Sequence, residues 1–196
     1  MTHELPVLLK KIKACKICEP NLSHGANPVL TAAQNSKIVV IGQAPGMRVH
    51  LSNQPWADKS GERLIEWLGI DRETFYDTSK FAIIPMGFCY PGKNPKGGDL
   101  PPRKECAPEW HPPLFDQLKN VKLTLLIGAY AQKYYLGKKG KKNLTETVMH
   151  FEEYLPEYFP IVHPSPLNFR WQRNNPWFEK DVIGVLQKTV HDILNT

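Results

Sequence analysis

Four short apolar runs alternate with longer segments along this 196-residue chain, and their alternation constrains the fold most. The runs are rich in isoleucine, valine, leucine and phenylalanine, and each predicts a buried strand. They lie at 37–42, 81–84, 123–127 and 159–162. Strands that alternate with helices pair in parallel and are covered by helices on both faces. The sequence therefore predicts an α/β fold, a three-layer sandwich with a central four-stranded parallel twisted sheet.

The segments between the runs predict helices where apolar residues recur at helical spacing, and loops where proline and glycine accumulate. Helices are predicted at 4–14, 61–69, 71–77, 108–119, 129–136, 144–150 and 177–194. Ser60 is the predicted cap of the second helix. Residues 47–59 are predicted to form a loop.

A second and longer predicted loop, 85–104, holds five prolines and four glycines. A loop of this length in a compact domain usually has a function. No repeat or linker divides the chain, so we expect a single domain over 1–196. We expect its N-terminal arm, residues 1–36, to dock on the segment 85–106.

Two stiff loops follow the first and the last predicted strand: Gly42-Gln43-Ala44-Pro45-Gly46 and His163-Pro164-Ser165-Pro166-Leu167-Asn168. Prolines prevent regular pairing and stiffen the chain. Ligands of open α/β sheets bind outside the carboxyl ends of the strands, so both loops are predicted to face one cleft. Taken alone, the second loop is also compatible with a proline-rich turn that holds a hydrogen-bonded histidine.

Together the two loops resemble the two motifs of the uracil-DNA glycosylase superfamily, a Gly-x-x-Pro turn and a His-Pro-Ser-Pro-Leu loop. The segment Gln54-Pro55-Trp56, followed by Ser60-Gly61-Glu62-Arg63-Leu64, resembles the family's aromatic pocket segment and next helix. Arg173-Asn174-Asn175-Pro176, before Trp177, is similar to the segment after the second motif. The resemblance extends over residues 12–194 and implies a uracil-DNA glycosylase-like fold.

The chain has four cysteines, and their spacing favours a metal site over disulfides in a cytosolic protein. Cys15 and Cys18 form a Cys-x2-Cys pair, which can hold one side of a metal site. Cys89 and Cys106 flank the proline- and glycine-rich loop and can close the other side. Ordinary buried thiols are the alternative.

The iron–sulfur, thermostable-type branch of the superfamily is the branch that this chain resembles most. That branch also places a Cys-x2-Cys pair before the first strand, and its second pair brackets a loop similar to Cys89-Tyr90-Pro91-Gly92. The resemblance implies a [4Fe–4S] cluster held by the four cysteines. Four thiolates also suit zinc, which remains the alternative.

The net charge of +6 and the pI near 9.1 favour a polyanionic partner. One dense basic cluster comprises Lys138, Lys139, Lys141 and Lys142, which are predicted to contact phosphates, although a solvated loop is the common alternative. The N-terminus lacks the apolar core of a signal peptide, and no apolar run reaches membrane-spanning length. We expect a cytoplasmic, monomeric protein with DNA, duplex or single-stranded, as its partner.

Excision of a base requires that the base leave the stack and that donors face its developing negative charge. The resemblance implies that His163 and the backbone at Gln43 are the catalytic groups. It implies that Trp56 stacks on the base, although a core or surface tryptophan is the alternative. The other residues of the predicted base pocket are Gly42, Ala44, Pro45, Pro85 and Met86.

The resemblance also implies a DNA-contacting surface around the second loop. Leu167 is predicted to fill the gap left by the flipped base. Phosphate contacts are predicted for Ser165, Asn168, Arg170 and Arg173 together with the lysine cluster.

Three positions depart from the family pattern. Ala44 stands where some branches carry a water-activating Asp or Asn, although the iron–sulfur branch also has Ala there, and Gln43 stands where that branch carries Glu. Pro85 stands near the position of the base-reading Asn and has no amide donor. The first interpretation is a base-excision-repair DNA glycosylase for uracil or another deaminated or damaged base. The alternatives are a catalytically weak or inactive member that binds nucleic acid or a modified nucleotide, and a metal-stabilised interaction module.

Overall fold

The computed structural model describes residues 4–196, which contain one four-stranded sheet and nine α-helices. The strands are β1 (Ile38–Ile41), β2 (Phe81–Ile83), β3 (Leu123–Ile127) and β4 (Tyr158–Ile161). The helices are α1 (Leu5–Lys13), α2 (Met47–Ser52), α3 (Lys59–Leu68), α4 (Arg72–Tyr76), α5 (Cys106–Phe115), α6 (Ala129–Leu136), α7 (Leu144–Met149), α8 (Phe169–Asn174) and α9 (Gly184–Leu194). No helix within these residues has the length and apolarity needed to cross a membrane.

The sheet is parallel throughout and has the strand order β2-β1-β3-β4. In its register Ile38 aligns with Phe81 on one side and with Leu123 on the other. Every residue of β1 and β3 is buried, as expected where helices cover both faces. The predicted four-stranded parallel sheet of an α/β fold is confirmed.

Successive residues of β1 point to opposite faces of the sheet and join two separate hydrophobic clusters. Ile38 and Val40 belong to a cluster that contains side chains of α3, α7 and α9. Val39 and Ile41 belong to a second cluster, with side chains of α1, α5 and α6. Helices therefore cover both faces, which confirms the predicted three layers.

The prediction of a loop at 47–59 is wrong in its first half, because α2 begins directly after Gly46. This short helix buries only Val49 and is followed by its C-terminal cap, Asn53, whose φ of 56° is left-handed. One buried side chain gives too little apolar periodicity for the helix to be seen in the sequence.

The predicted cap of the next helix, Ser60, is also wrong. Asp58 is the capping residue, and its side chain accepts a hydrogen bond of 2.9 Å from the amide of Gly61. Because the helix begins at Lys59, Ser60 already lies in its first turn.

Two further differences concern the C-terminal quarter of the chain. The predicted helix 177–194 consists of a π-helical stretch, Phe178–Ile183, and α9. The helix α8, which follows the second proline-rich loop, was not predicted. The helix predicted at 129–136 is present with these bounds, and the other predicted helices are present with shifted bounds. The segment between β2 and α5 has neither helix nor strand, as predicted.

Helix α3 packs directly beneath the chain segment that carries Trp56. A Cβ atom placed on Gly61 would lie 1.8 Å from the carbonyl oxygen of Trp56. Trp56 itself has a φ of 57°, a conformation that is rare for bulky residues. Only glycine therefore fits at position 61 while the backbone of Trp56 keeps this position.

Replacement of Gly61 by alanine is expected to lower the free energy of unfolding by about 1–3 kcal/mol, because the new methyl group must displace backbone. Gly184→Ala is the matched control, since a Cβ there meets no atom within 4 Å. It should raise the free energy of unfolding by about 0.5–1 kcal/mol through helix propensity. Chemical denaturation of both variants measures the difference, and equal stabilities would contradict the close contact.

Candidate active site

A cleft of about 460 Å³ opens where β1, β2 and β4 end. Both proline-containing loops border it, as the sequence predicted for loops at strand ends. The structure brings together ten of the predicted site residues in its lining: Gly42, Gln43, Ala44, Pro45, Trp56, Pro85, His163, Ser165, Leu167 and Asn168.

The first loop is anchored through its carbonyl groups. The carbonyl of Gly42 accepts from the amide of Met86 at 2.9 Å, and that of Gln43 from the amide of Gly87 at 3.0 Å. Within residues 4–196 the main-chain amides of Gln43 and Ala44 donate to no protein group. Both residues line the cleft, and no protein group occupies their amides.

Met86 does not line the cleft, although it was expected in the base pocket. Its side chain is buried in the cluster formed with α1, α5 and α6. Neighbouring residues of an extended segment point to opposite sides, so the adjacent Pro85 faces the cleft.

His163 presents a neutral imidazole to the cleft. Its Nδ1 accepts a hydrogen bond of 3.2 Å from the amide of Ser165, which leaves the proton on Nε2. Burial lowers the pKa of His163, and the nearby Asp58 carboxylate opposes this by raising it. The net shift is downward, so at neutral pH the ring is an uncharged donor through Nε2.

The ring of Trp56 forms a wall of the cleft beside His163. The two ring centroids are 5.4 Å apart, and the planes are tilted by 31°. A Cβ on Gly42 would lie 2.7 Å from Cζ2 of Trp56, so this glycine is required for the ring's position. The half-buried indole is thus held against both loops and is neither a core nor a purely surface residue.

A buried histidine holds the carbonyl group of Pro85, and the sequence did not predict this role for it. That carbonyl accepts from Nε2 of His111 at 3.0 Å, and Nδ1 of His111 is 2.5 Å from the hydroxyl of Tyr135. Burial lowers the pKa of His111 to about 4, so this ring is neutral. The carbonyl of Pro85 is occupied, and the proline presents no donor to the cleft.

Three charged cleft residues, Asp58, Lys93 and Asp99, were not predicted as site residues. Asp58 had a usable signal, because aspartate before an amphipathic segment is a common helix cap. Asp99 and Lys93 had none, because their position depends on how the long loop docks. Their side chains pair at 3.8 Å, and Asp99 also accepts from the hydroxyl of Tyr90 at 3.4 Å.

The second loop presents an apolar tip on a rigid support. Leu167 is 81% exposed, and its amide donates to Oγ of Ser165 at 3.2 Å. The side chain of Asn168 donates to the carbonyl of His163 at 2.8 Å, which closes the loop. Arg170 and Arg173 follow on α8, where both are exposed and make no ion pair within residues 4–196.

The predicted lysine cluster lies away from the cleft. Lys138 and Lys139 follow the C-terminal end of α6, whose eight residues span about 12 Å from the Ala129 end. Lys141 forms an ion pair with Glu153. None of the four lysines lines the cleft, and their contact with phosphates stays a prediction.

All four cysteines line one small pocket. The sulfur of Cys106 receives a hydrogen bond of 3.3 Å from the amide of Phe88, and the thiol of Cys18 donates to Oε2 of Glu105 at 3.9 Å. Nε of Arg103, which also lines the pocket, is buried without a partner within the described residues. The pocket thus contains two donors, the Phe88 amide and Nε of Arg103, and one carboxylate acceptor, Glu105.

Ionisation of the free thiols is disfavoured when no cation is bound. Burial raises the pKa of Cys89 to about 11 and that of Cys106 to about 12, and the neighbouring cysteines add to both shifts. Within residues 4–196, no group of three or more His, Cys, Asp or Glu side chains is arranged so that it could hold a metal ion.

The N-terminal arm contacts the loop that carries the second cysteine pair. The amide of Val29 donates to the carbonyl of Phe88 at 2.7 Å, and Thr31 forms an isolated bridge with Ile83. Helix α1 packs against α5 in the second hydrophobic cluster. The pocket that holds the four thiols lies at this junction.

Comparison with known families agrees with this architecture. The model of the uracil DNA glycosylase superfamily matches residues 28–187, which is most of the chain. The protein therefore belongs to the uracil DNA glycosylase superfamily, whose members are generally DNA N-glycosylases, enzymes that hydrolyse a bond in DNA. The match identifies the superfamily and does not resolve the branch.

The neutral state of His111 predicts a pH-dependent loss of stability. Below about pH 6.5 the unfolded chain binds a proton at this histidine, whereas the folded protein does so only near pH 4. The free energy of unfolding should therefore fall by about 3 kcal/mol from this group as pH drops through that window. Denaturation at several pH values, compared with His111→Gln, isolates the contribution. Identical pH profiles for the two proteins would contradict it.

Proposed function

We propose that the protein is a DNA glycosylase of base-excision repair that hydrolyses the N-glycosidic bond of uracil or another deaminated or damaged base. One observation carries the proposal. Neutral His163, the free amides of Gln43 and Ala44, and the ring of Trp56 line a single cleft whose rim bears the exposed Leu167.

Each group has a defined part in this reaction. The target base leaves the stack and enters the cleft, where the indole of Trp56 offers an aromatic surface. Leu167 occupies the space that the base vacates in the duplex. As the glycosidic bond breaks, negative charge grows on a carbonyl oxygen of the base. Nε2–H of His163 and the two free amides then act as donors that need no reorganisation.

The cleft supports a broader choice of base than a pocket with a base-reading amide. Pro85 takes the place of that amide, and its carbonyl is bound to His111. Its neighbours in the lining, Val29 and Ile83, are apolar. Selectivity then depends on shape and on backbone groups, so bases other than uracil are expected substrates.

A catalytically weak or inactive member that binds nucleic acid or a modified nucleotide is the second candidate. The first loop favours this candidate, because neither the side chain of Ala44 nor that of Gln43 is free to activate water. Ala44 carries only a methyl group, and Nε2 of Gln43 donates to the carbonyl of Leu100 at 3.2 Å.

Contacts with the DNA backbone are proposed for the rim of the cleft. Arg170 and Arg173 are exposed beside the second loop, and Ser165 and Asn168 place polar groups within that loop. Each phosphate that such residues neutralise steepens the decrease of affinity with salt. The same salt dependence tests the lysine cluster.

We propose that Cys15, Cys18, Cys89 and Cys106 hold a [4Fe–4S] cluster. A tetrahedral zinc site needs four sulfurs about 2.3 Å from one ion, whereas the cysteines of a cluster bind separate irons. The lining of one small pocket by all four cysteines supports a shared site, and zinc is the alternative occupant. The partnerless Nε of Arg103 supports an anionic occupant. The cluster would supply structure, by tying the N-terminal arm to the loop.

Excision from a panel of uracil, hypoxanthine, xanthine and hydroxymethyluracil substrates tests the reaction. Loss of one donor to an oxyanion costs on the order of a hundred- to a thousandfold in rate. His163→Ala should therefore slow single-turnover excision by that factor and leave DNA affinity nearly unchanged. A fully active variant would refute the role of His163, and strict selectivity for uracil would refute the relaxed pocket. DNA binding without excision of any base would favour the inactive member.

Excision of the same bases from duplex and from single-stranded DNA tests the role of Leu167. Leu167→Ala should lose more activity on well-paired duplex, where the vacated space must be filled. Its loss should be smallest on single strands. Equal losses on both substrates would count against the insertion of this side chain.

Measurement of iron, sulfide and zinc in protein purified without added metal tests the cysteine site. We expect about four irons and four sulfides per chain, and a visible absorbance that Cys106→Ser diminishes. Zinc in place of iron would correct the identity of the metal. Four titratable thiols with no bound metal would refute the site.

A further inference from the structure

Two carboxylates line the cleft among the described residues, Asp58 and Asp99. Asp99 is compensated, because Lys93 lies 3.8 Å away and the hydroxyl of Tyr90 donates to the same oxygen. Asp58 forms no ion pair with any residue from 4 to 196. It is therefore the uncompensated negative charge of the cleft.

The position of Asp58 is set by the same packing that fixes the aromatic wall. Oδ1 accepts from the amide of Gly61 at 2.9 Å, and the backbone of Gly61 lies directly against that of Trp56. This hydrogen bond orients the carboxylate and leaves Oδ2 without a partner among the described residues. The charge is close enough to His163 to raise the pKa of that ring against the effect of burial.

We propose that Asp58 is a catalytic carboxylate, which stabilises positive charge on the sugar and accepts a proton from the attacking water. The proposal rests on the proposed function, since it concerns hydrolysis in the same cleft. It supplies the acid–base group that the first loop lacks, because Ala44 has no side chain for this task.

The proposed step is balanced without any further reactant. The bond between the sugar carbon and the base nitrogen breaks, and its electron pair stays with the base. The water oxygen bonds to the sugar carbon while one water proton passes to Oδ2 of Asp58. That proton then returns to solvent, and the departing base anion takes up a proton from solvent.

The negative charge of Asp58 is expected to stabilise the transition state and to disfavour the bound substrate. A carboxylate in a DNA-binding cleft repels phosphates, so it weakens the binding of intact DNA. Glycosidic cleavage, however, passes through a cationic, oxocarbenium-like sugar, which a carboxylate stabilises. A charge that opposes substrate binding and favours the transition state raises the rate of the chemical step.

A purely structural role, as the cap of α3, is the competing explanation. Asparagine caps helices about as well as aspartate, so Asp58→Asn retains the cap and removes the charge. Asp71→Asn is the matched control. Asp71 caps α4 in the same way, with Oδ1 accepting from the amide of Thr74 at 2.7 Å, but it does not line the cleft.

The first readout is single-turnover excision together with DNA affinity. General-base groups contribute about a hundred- to ten-thousandfold, so Asp58→Asn should slow excision by about that factor. Its affinity for intact DNA should be equal or tighter, because a repulsive charge is gone. Asp71→Asn should match the wild type in both measurements.

The second readout needs no turnover. Duplexes that carry a cationic pyrrolidine in place of the target sugar are compared with duplexes that carry a neutral tetrahydrofuran. The wild type and Asp71→Asn should prefer the cationic analogue, and Asp58→Asn should lose that preference.

The outcomes separate the two claims. An active wild type with an equally active Asp58→Asn, or an unchanged preference for the cation, would overturn the role of Asp58 and leave the proposed function intact. A wild type that excises no base from the panel would overturn the proposed function, and the catalytic role of Asp58 with it.

Discussion

The close approach of Trp56 to two glycines is the contact on which the cleft depends. Its carbonyl lies against Gly61, and its ring lies against Gly42. The φ of 57° at Trp56 is a strained conformation, of the order of 1–3 kcal/mol, which persists only where the surroundings hold it. Two backbone positions without a Cβ thus bring an aromatic ring, the Asp58 cap and His163 to one wall. A side chain at either glycine would separate them.

Charge is divided between the rim and the interior of this cleft. The chain carries a net charge of +6, and exposed arginines stand on the rim of the cleft, Arg48 on α2 and Arg170 and Arg173 on α8. Inside, His163 is neutral, Lys93 is paired with Asp99, and Asp58 alone is uncompensated. Such a division lets the rim attract phosphates while the interior discriminates between charge states of the reacting groups.

The sequence was sufficient for the sheet and for the positions of the two loops. Strands buried on both faces read as continuous apolar runs, and prolines mark the loops that follow them. Helix α2 was missed because it buries a single side chain. The presence of Asp58 in the cleft was missed, because Asp58 comes close to His163 only when α3 has packed beneath Trp56. Met86 and Pro85 were both expected at the pocket, although adjacent extended residues cannot both face it.

The long loop between β2 and α5 connects the cysteine pocket with the cleft. It carries Cys89 near its start and leads to Cys106 at its end, and between them Leu100 accepts a hydrogen bond from Gln43. Asp99, its neighbour, lies against Gly46, with its carboxylate 3.5 Å from the position of a Cβ there. A loop with so few regular hydrogen bonds loses much conformational entropy when it is ordered. Ligation of its two ends by the proposed cluster would offset part of that cost, and would hold the part of the cleft lining that Lys93 and Asp99 form without contacting a substrate.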